Sequence, residues 1–170
     1  MDNTLTTLFK HNLWANLGLL KVCTKLTDEQ LDSTLDGTFG SIRDTWQHIA
    51  GAEQAYFSRV STGQLYQRPE DASPITMSEI AEMLKFSGEG FINRAPEVKA
   101  ADSVKIDWDG ELRDVPKTIL LTQTINHATE HRSQIMTILT QLGIQPPDLD
   151  AWTYFDEMDR EIFSKTHEEK

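Results

Sequence analysis

The stretch PKTILLTQTINHATEHRSQIMTILTQLG, residues 116–143, decides the fold. Pro116 suits the first turn of a helix, Gly143 suits its end, and Pro146 with Pro147 bars continuation, so the punctuation frames one long helix. Ile119, Leu120, Gln123, Thr124, His127, His131, Gln134, Ile135 and Ile138 recur on one side of it, which predicts an inward stripe. A helix this long needs partners to cover that stripe.

The rest of the chain supplies them. Immediately upstream, Val104 to Val115 alternates apolar and polar residues around Asp109-Gly110, which predicts a small β-hairpin. Before it, a helix starting near Thr76 or Ser78 carries Met77, Ile80, Ala81, Leu84, Phe91 and Ile92; Gly88 and Gly90 weaken it and Pro96 ends or kinks it. Gly63, Pro69 and Pro74 mark a loop that follows a helix from the N-cap Ser41 to about Val60, with Ile42, Thr45, His48, Ile49, Ala52 and Tyr56 along one side. Gly37 to Gly40 reads as loop, Thr27 to Gln30 as a capping box, and Leu5 to Leu26 as a first helix with Phe9, Leu13, Leu17 and Leu20 in its stripe, widened by Trp14, Leu19 and Val22. Downstream, Asp150 to about Phe163 is amphipathic through Trp152, Tyr154, Phe155, Met158 and Ile162. The expectation is an all-α single domain over 1–170: an up-and-down-type four-helix bundle, a short extra C-terminal helix, and a hairpin between helices three and four.

Composition narrows the function. A chain of 170 residues can bury roughly two thirds of its unfolded surface without staples, so a metal here is free to serve chemistry. The single Cys23 forms no internal disulfide and reads as inert core, no apolar run reaches the ~20 residues of a membrane span, and Met1 to Thr4 does not begin a signal peptide, which together suggest a cytoplasmic protein. A formal charge of −11 repels phosphate backbones and anionic lipid, so neither nucleic acid nor membrane is an expected partner.

Within Asn126-His127-Ala128-Thr129-Glu130-His131, two imidazoles four residues apart leave one helix face with Cβ atoms about 5–6 Å apart, close enough for one metal ion. His48, facing inward on another helix, would supply a third nitrogen and leave a coordination position open. From the residues alone two readings stand: a tris-histidine metal site, or three satisfied core histidines. His127-x-x-Glu130-His131 also spells an inverzincin peptidase pattern, but too little chain follows for that fold's downstream ligand, and Glu130 reads as a solvated surface charge. Glu53 lies about 140° around its helix from His48 and reads as a surface carboxylate, or as a group supporting the site only where that helix is kinked or shared. Gln134 shares the histidine face, either to bond a substrate or metal-bound water or to pack helices. His11 and His167 read as surface and tail, and Trp14, Trp46, Trp152 and Tyr154 as core or rim, or some of them as the lining of a pocket.

His11-Asn12-Leu13-Trp14-Ala15-Asn16, Gly37-Thr38-Phe39-Gly40-Ser41-Ile42-Arg43-Asp44 leading to His48, and Asn126 through Ile135 together resemble the DinB-like family, which is distinct from the similarly named DNA polymerase. Leu142-Gly143, Pro146-Pro147 and Asp150 through Tyr154 continue the resemblance in the same order. The resemblance implies a four-helix bundle, often homodimeric, with a divalent metal, zinc or nickel, on His48, His127 and His131. The wider superfamily includes bacillithiol S-transferase-like proteins and mycothiol-dependent isomerases, so it also implies a small-molecule substrate and a low-molecular-weight thiol as cofactor. On that footing the expected function is metal-dependent thiol transfer or hydrolysis at an open tris-histidine site, with no catalytic side chain assigned. The alternative is a non-catalytic, stress-related bundle with a structural or incidental metal, acting in binding or assembly.

Overall fold

The structure is a computed structural model and describes residues 3–66, 68 and 75–168, with side chains to residue 160. The loop residues Pro69 and Pro74, and the side chains of Ile162, Phe163 and His167, lie outside the described residues. The chain is mostly helical with one small antiparallel sheet: α1 (Thr4–Cys23), α2 (Asp28–Leu31), α3 (Ile42–Thr62), α4 (Met77–Arg94), β1 (Ser103–Trp108), β2 (Glu111–Pro116), α5 (Lys117–Gln141) and α6 (Ala151–Glu168). Among the described residues, no helix is long and apolar enough to cross a membrane.

Local chemistry sets the boundaries. Thr27, Ser41 and Thr76 each cap a helix through a capping box, completed by Gln30, Asp44 and Glu79. α5 ends in a Schellman motif: Gly143 takes φ +73°, its N–H donates to Thr140, and Ile144 N–H donates to Leu139 at 2.9 Å. The hairpin turns on Asp109 and Gly110, both at positive φ, with Trp108 paired to Glu111. Some expectations shift. The first helix stops at Cys23 rather than Leu26, because Thr24 caps it before the α2 box begins. Pro116 ends β2 and caps α5 instead of entering its first turn. As expected, α4 ends just before Pro96, which lies in a 3₁₀ turn over Ala95–Glu97. The C-terminal helix is not short, at 18 residues, and Asp150 accepts the Thr153 N–H at its start.

α1 packs on α4 and α5, and α3 packs on α4 and α5. Gly88 is needed where α4 meets α1: a Cβ there would lie 2.7 Å from Leu13 Cδ1. The apolar core is divided. One cluster gathers Leu19, Leu20, Trp46, Ile49, Leu84, Ile135 and Ile138; the other gathers Phe9, Val60, Phe91, Ile106, Leu120 and Leu121, under the hairpin. Along α1, α3 and α4 the residues between these clusters are polar and buried: Asn12 and Asn16, Glu53, and Ser87. The face of α5 also differs from its expected stripe. Ile119 is 56 % exposed and Gln123 is exposed, while Leu121, Ala128, Arg132 and Leu139 are buried.

Candidate metal centre

α3 buries Ile42, Thr45, Trp46, Ile49, Ala50 and Glu53, which leaves His48 half-buried on the flank that faces α5. α5 in turn places His127 half-buried and His131 buried on its facing flank. The three imidazoles meet there, with one ligand atom from each lying within 4.8 Å of the others. The Nε2 atoms of His48 and His127 are 2.9 Å apart. Two nitrogens bound to one metal at ~2.0–2.1 Å, with an angle of 90–109°, stand about 2.8–3.4 Å apart, so this spacing, near the short end, fits a shared ion. It also fits an N–H···N bond when one ring carries the proton.

Gln134 selects the tautomer of His131. Its Oε1 accepts the Phe39 backbone N–H at 3.1 Å and lies 3.0 Å from His131 Nδ1. A carbonyl oxygen only accepts, so Nδ1 carries the proton and Nε2 keeps its lone pair for a metal. Phe39 covers the group from the α2–α3 loop, stacked on His48 at 4.0 Å between ring centroids and edge-on to His131 at 5.2 Å. Tyr56 stands edge-on to His127 at 6.0 Å. Burial, and then the nearby His131, pushes the pKa of His48 down; burial with both neighbouring imidazoles takes His127 down to about 4. Both rings are therefore neutral near pH 7, the form that binds metals.

A second cluster, invisible to the sequence pattern, lies on the same helices. Glu53 is 2 % exposed and not a surface carboxylate. Its Oε2 accepts from Asn12 Nδ2 at 3.2 Å and Asn16 Nδ2 at 3.0 Å, and its Oε1 accepts from Ser87 Oγ at 2.9 Å. The same two carboxamides accept, through their Oδ1 atoms, from Arg132 Nη1 at 2.8 and 2.6 Å, while Arg132 Nη2 donates to Thr129 Oγ1 at 3.0 Å. Asn12 and Asn16 thus bridge a buried carboxylate and a buried guanidinium that form no direct ion pair. Burial pushes the Glu53 carboxyl up against the opposing pull of these donors, and takes Arg132 down to about 10 against the pull of Glu53. The signal available in the sequence was Asn12 and Asn16, four apart inside the apolar stripe of α1.

Other residues settle outside the centre. Glu130 is exposed, as a solvated charge would be. His11 is half-buried rather than on the surface, and its Nε2 lies 2.8 Å from the Leu149 carbonyl. With Trp14 and Tyr154 it lines a cavity of about 720 Å³ between α1 and α6, to which none of the three centre histidines contributes. Trp46 is core and Trp152 is 78 % exposed. Burial pushes the Cys23 thiol up to about 11.

Two solved structures share this fold. A DinB-like protein from Bacillus cereus ATCC 10987 is 21 % identical, with a TM-score of 0.56 over 79 % of this chain and 90 % of that one. A DinB-like protein from Bacillus subtilis is 12 % identical, with a TM-score of 0.61 over 84 % of this chain and 97 % of that one. At these identities the likeness is one of fold alone. Among curated proteins, none matches the chain. The DinB family model matches residues 1–162, nearly the whole sequence, and the chain belongs to the DinB family.

Proposed function

We propose that α1, α3, α4 and α5 form a four-helix bundle whose His48, His127 and His131 bind one divalent metal ion, zinc or nickel, and that the site serves thiol transfer or hydrolysis. The observation that carries this reading is the convergence of three imidazole nitrogens within 4.8 Å from two helices. The donor set fits the ion: imidazole is a good ligand for zinc and nickel, and three protein ligands leave coordination open, as catalytic sites do. A divalent ion with an open position lowers the pKa of a thiol or water and keeps its anion available near neutral pH.

The residues around it have separate tasks. Gln134 fixes the ring of His131 and its proton. Phe39 shields one side of the imidazoles from water. The depressed pKa values of His48 and His127 keep both rings neutral, so each has one nitrogen with a free lone pair.

The test is the metal content of untagged protein purified without added metal. About one ion per chain is expected, lost in His48→Ala and in His127→Ala. Wild type without metal, or unchanged content in both variants, refutes the reading. In cobalt-substituted protein, cysteine or glutathione should perturb the visible spectrum. A spectrum indifferent to both, and to pH between 6 and 9, points instead to a structural or incidental metal in a non-catalytic bundle.

A further inference from the structure

A second cavity, of about 560 Å³, lies beneath the hairpin between α3 and α5. None of the three centre histidines lines it, but Tyr56 does, and Tyr56 is the ring that meets His127 edge-on at 6.0 Å. Gln123, one helical turn before His127, lines it too. Its volume lies within the range of small-ligand sites. Trp108 and Ile119 contribute apolar surface to it while remaining 55 % and 56 % exposed, and Arg113 braces the indole at 5.5 Å. These side chains stay exposed although the fold buries smaller apolar groups nearby, and a ligand would cover them.

The cavity also holds a cation. Arg59 lines it half-buried, and among the described residues it makes no ion pair and no side-chain hydrogen bond, in a chain with 27 acidic and 16 basic residues. Its place in the last turn of α3 favours a cation but leaves the guanidinium fork unfilled. Asp107 and Asp109 line the same cavity, yet Asp107 is engaged by the Gly110 N–H at 2.7 Å and both are exposed on the hairpin turn. The partly desolvated, unpaired charge is therefore the arginine, and the two acids disfavour a ligand of high negative charge.

We infer that this cavity, separated from His127 by the Tyr56 ring, binds a small organic monocarboxylate with a planar or apolar body, its carboxylate on Arg59 and its body against Trp108 and Ile119. The placement beside a reactive centre rests on the metal reading above, whereas the carboxylate site itself does not. Bidentate pairing with a carboxylate satisfies the fork that the protein leaves open.

Titration calorimetry of the full-length cobalt-loaded protein with phenylacetate, its neutral analogue phenylacetamide and the cation phenethylammonium tests this. Phenylacetate should bind at least about tenfold more tightly than either analogue. Arg59→Gln should reduce phenylacetate to the level of the amide without changing the amide, and Arg59→Lys should fall between. Trp108→Ala should weaken all three. Cobalt should broaden the proton resonances of bound phenylacetate, and zinc should not. Equal binding of the three probes, or wild-type affinity for phenylacetate in Arg59→Gln, overturns the carboxylate site. Loss of phenylacetate binding on metal removal with no effect of Arg59→Gln means direct metal ligation and also overturns it. Arg59-dependent binding by a chain that holds no metal upholds the carboxylate site and defeats only the metal reading. Binding without broadening in stoichiometric cobalt protein refutes the link to the centre.

Discussion

Replacing Arg132 by Met removes three hydrogen bonds, to Asn12, Asn16 and Thr129, and leaves the Glu53 carboxylate buried at 2 % exposure without its counter-charge. Stripping one partner from a buried pair costs roughly 3–5 kcal/mol. Protonation of Glu53 caps that cost: carrying a carboxyl of ordinary pKa 4.5 to pH 7 in its neutral form takes about 3.4 kcal/mol, at about 1.36 kcal/mol per pH unit. The loss at pH 7 should therefore be about 3 kcal/mol, a fall of roughly 1.5 M in the urea midpoint for an m-value near 2 kcal/mol/M. The sign with pH follows from the raised carboxyl. A native state that holds its proton above pH 4.5 is favoured at low pH, so the penalty should shrink toward pH 5 and grow as pH rises from there. Adding Glu53→Gln should recover part of the loss, because a neutral amide can bond the same carboxamides. The assay is urea denaturation followed by circular dichroism from pH 5 to 8, with and without chelator so that metal loss is separated from network loss. A penalty below about 1 kcal/mol, one independent of pH, or strict additivity in the double variant would refute the reasoning.

Gln134→Leu should weaken metal binding about 10- to 100-fold in a competitive chelator titration while leaving its stoichiometry intact; unchanged affinity would mean that His131 holds its tautomer without Gln134. The metal-free protein should lose stability as pH falls from 6.5 toward 4, because the His127 pKa near 4 lies below its unfolded value. With the ring half-buried the contribution is roughly 1–2 kcal/mol, and urea midpoints of His127→Gln should lack that part of the slope. Gly88→Ala should destabilise by about 1–3 kcal/mol in the same assay through its clash with Leu13, whereas Gly51→Ala, with no heavy atom within 4 Å of the new Cβ, should gain about 0.5–1 kcal/mol. Cys23, with its thiol raised to about 11 and its side chain buried, should react with a disulfide reagent at pH 8 only on unfolding; fast labelling of the native protein contradicts its burial.

The elements that the sequence made legible are those governed by local chemistry. The Thr27 capping box, the Ser41 cap, the Asp109-Gly110 turn, the Gly143 terminus and the His127/His131 spacing each depend on residues within a few positions of one another. The residues whose placement or contacts were not legible depend on distant ones. Ile119 follows the helical period of the stripe, but the chain leaves an open cavity where its partner would pack. Phe39 looked like ordinary loop because its contacts, His48 and Gln134, belong to two other elements. Glu53 and Arg132 failed the rule that charge points outward, since the groups that satisfy them are carried by α1 and α4.

That buried layer bears on the histidines through the geometry of the helices. Arg132 follows His131 directly, and Glu53 lies five residues after His48, so the two helices that carry the imidazoles also carry the two buried charges. Sliding α5 along α3 would retain much apolar contact, because greasy side chains exchange partners readily. It would not retain the carboxamide bridges, whose donors and acceptors fit in one register. The working hypothesis is that Glu53 and Arg132 set the relative placement of α3 and α5, and thereby bring His48 within reach of His127 and His131 before any ion arrives. In the Glu53→Gln/Arg132→Met protein, metal affinity should then fall by more than stability does, and affinity equal to wild type in a folded double variant would disprove it.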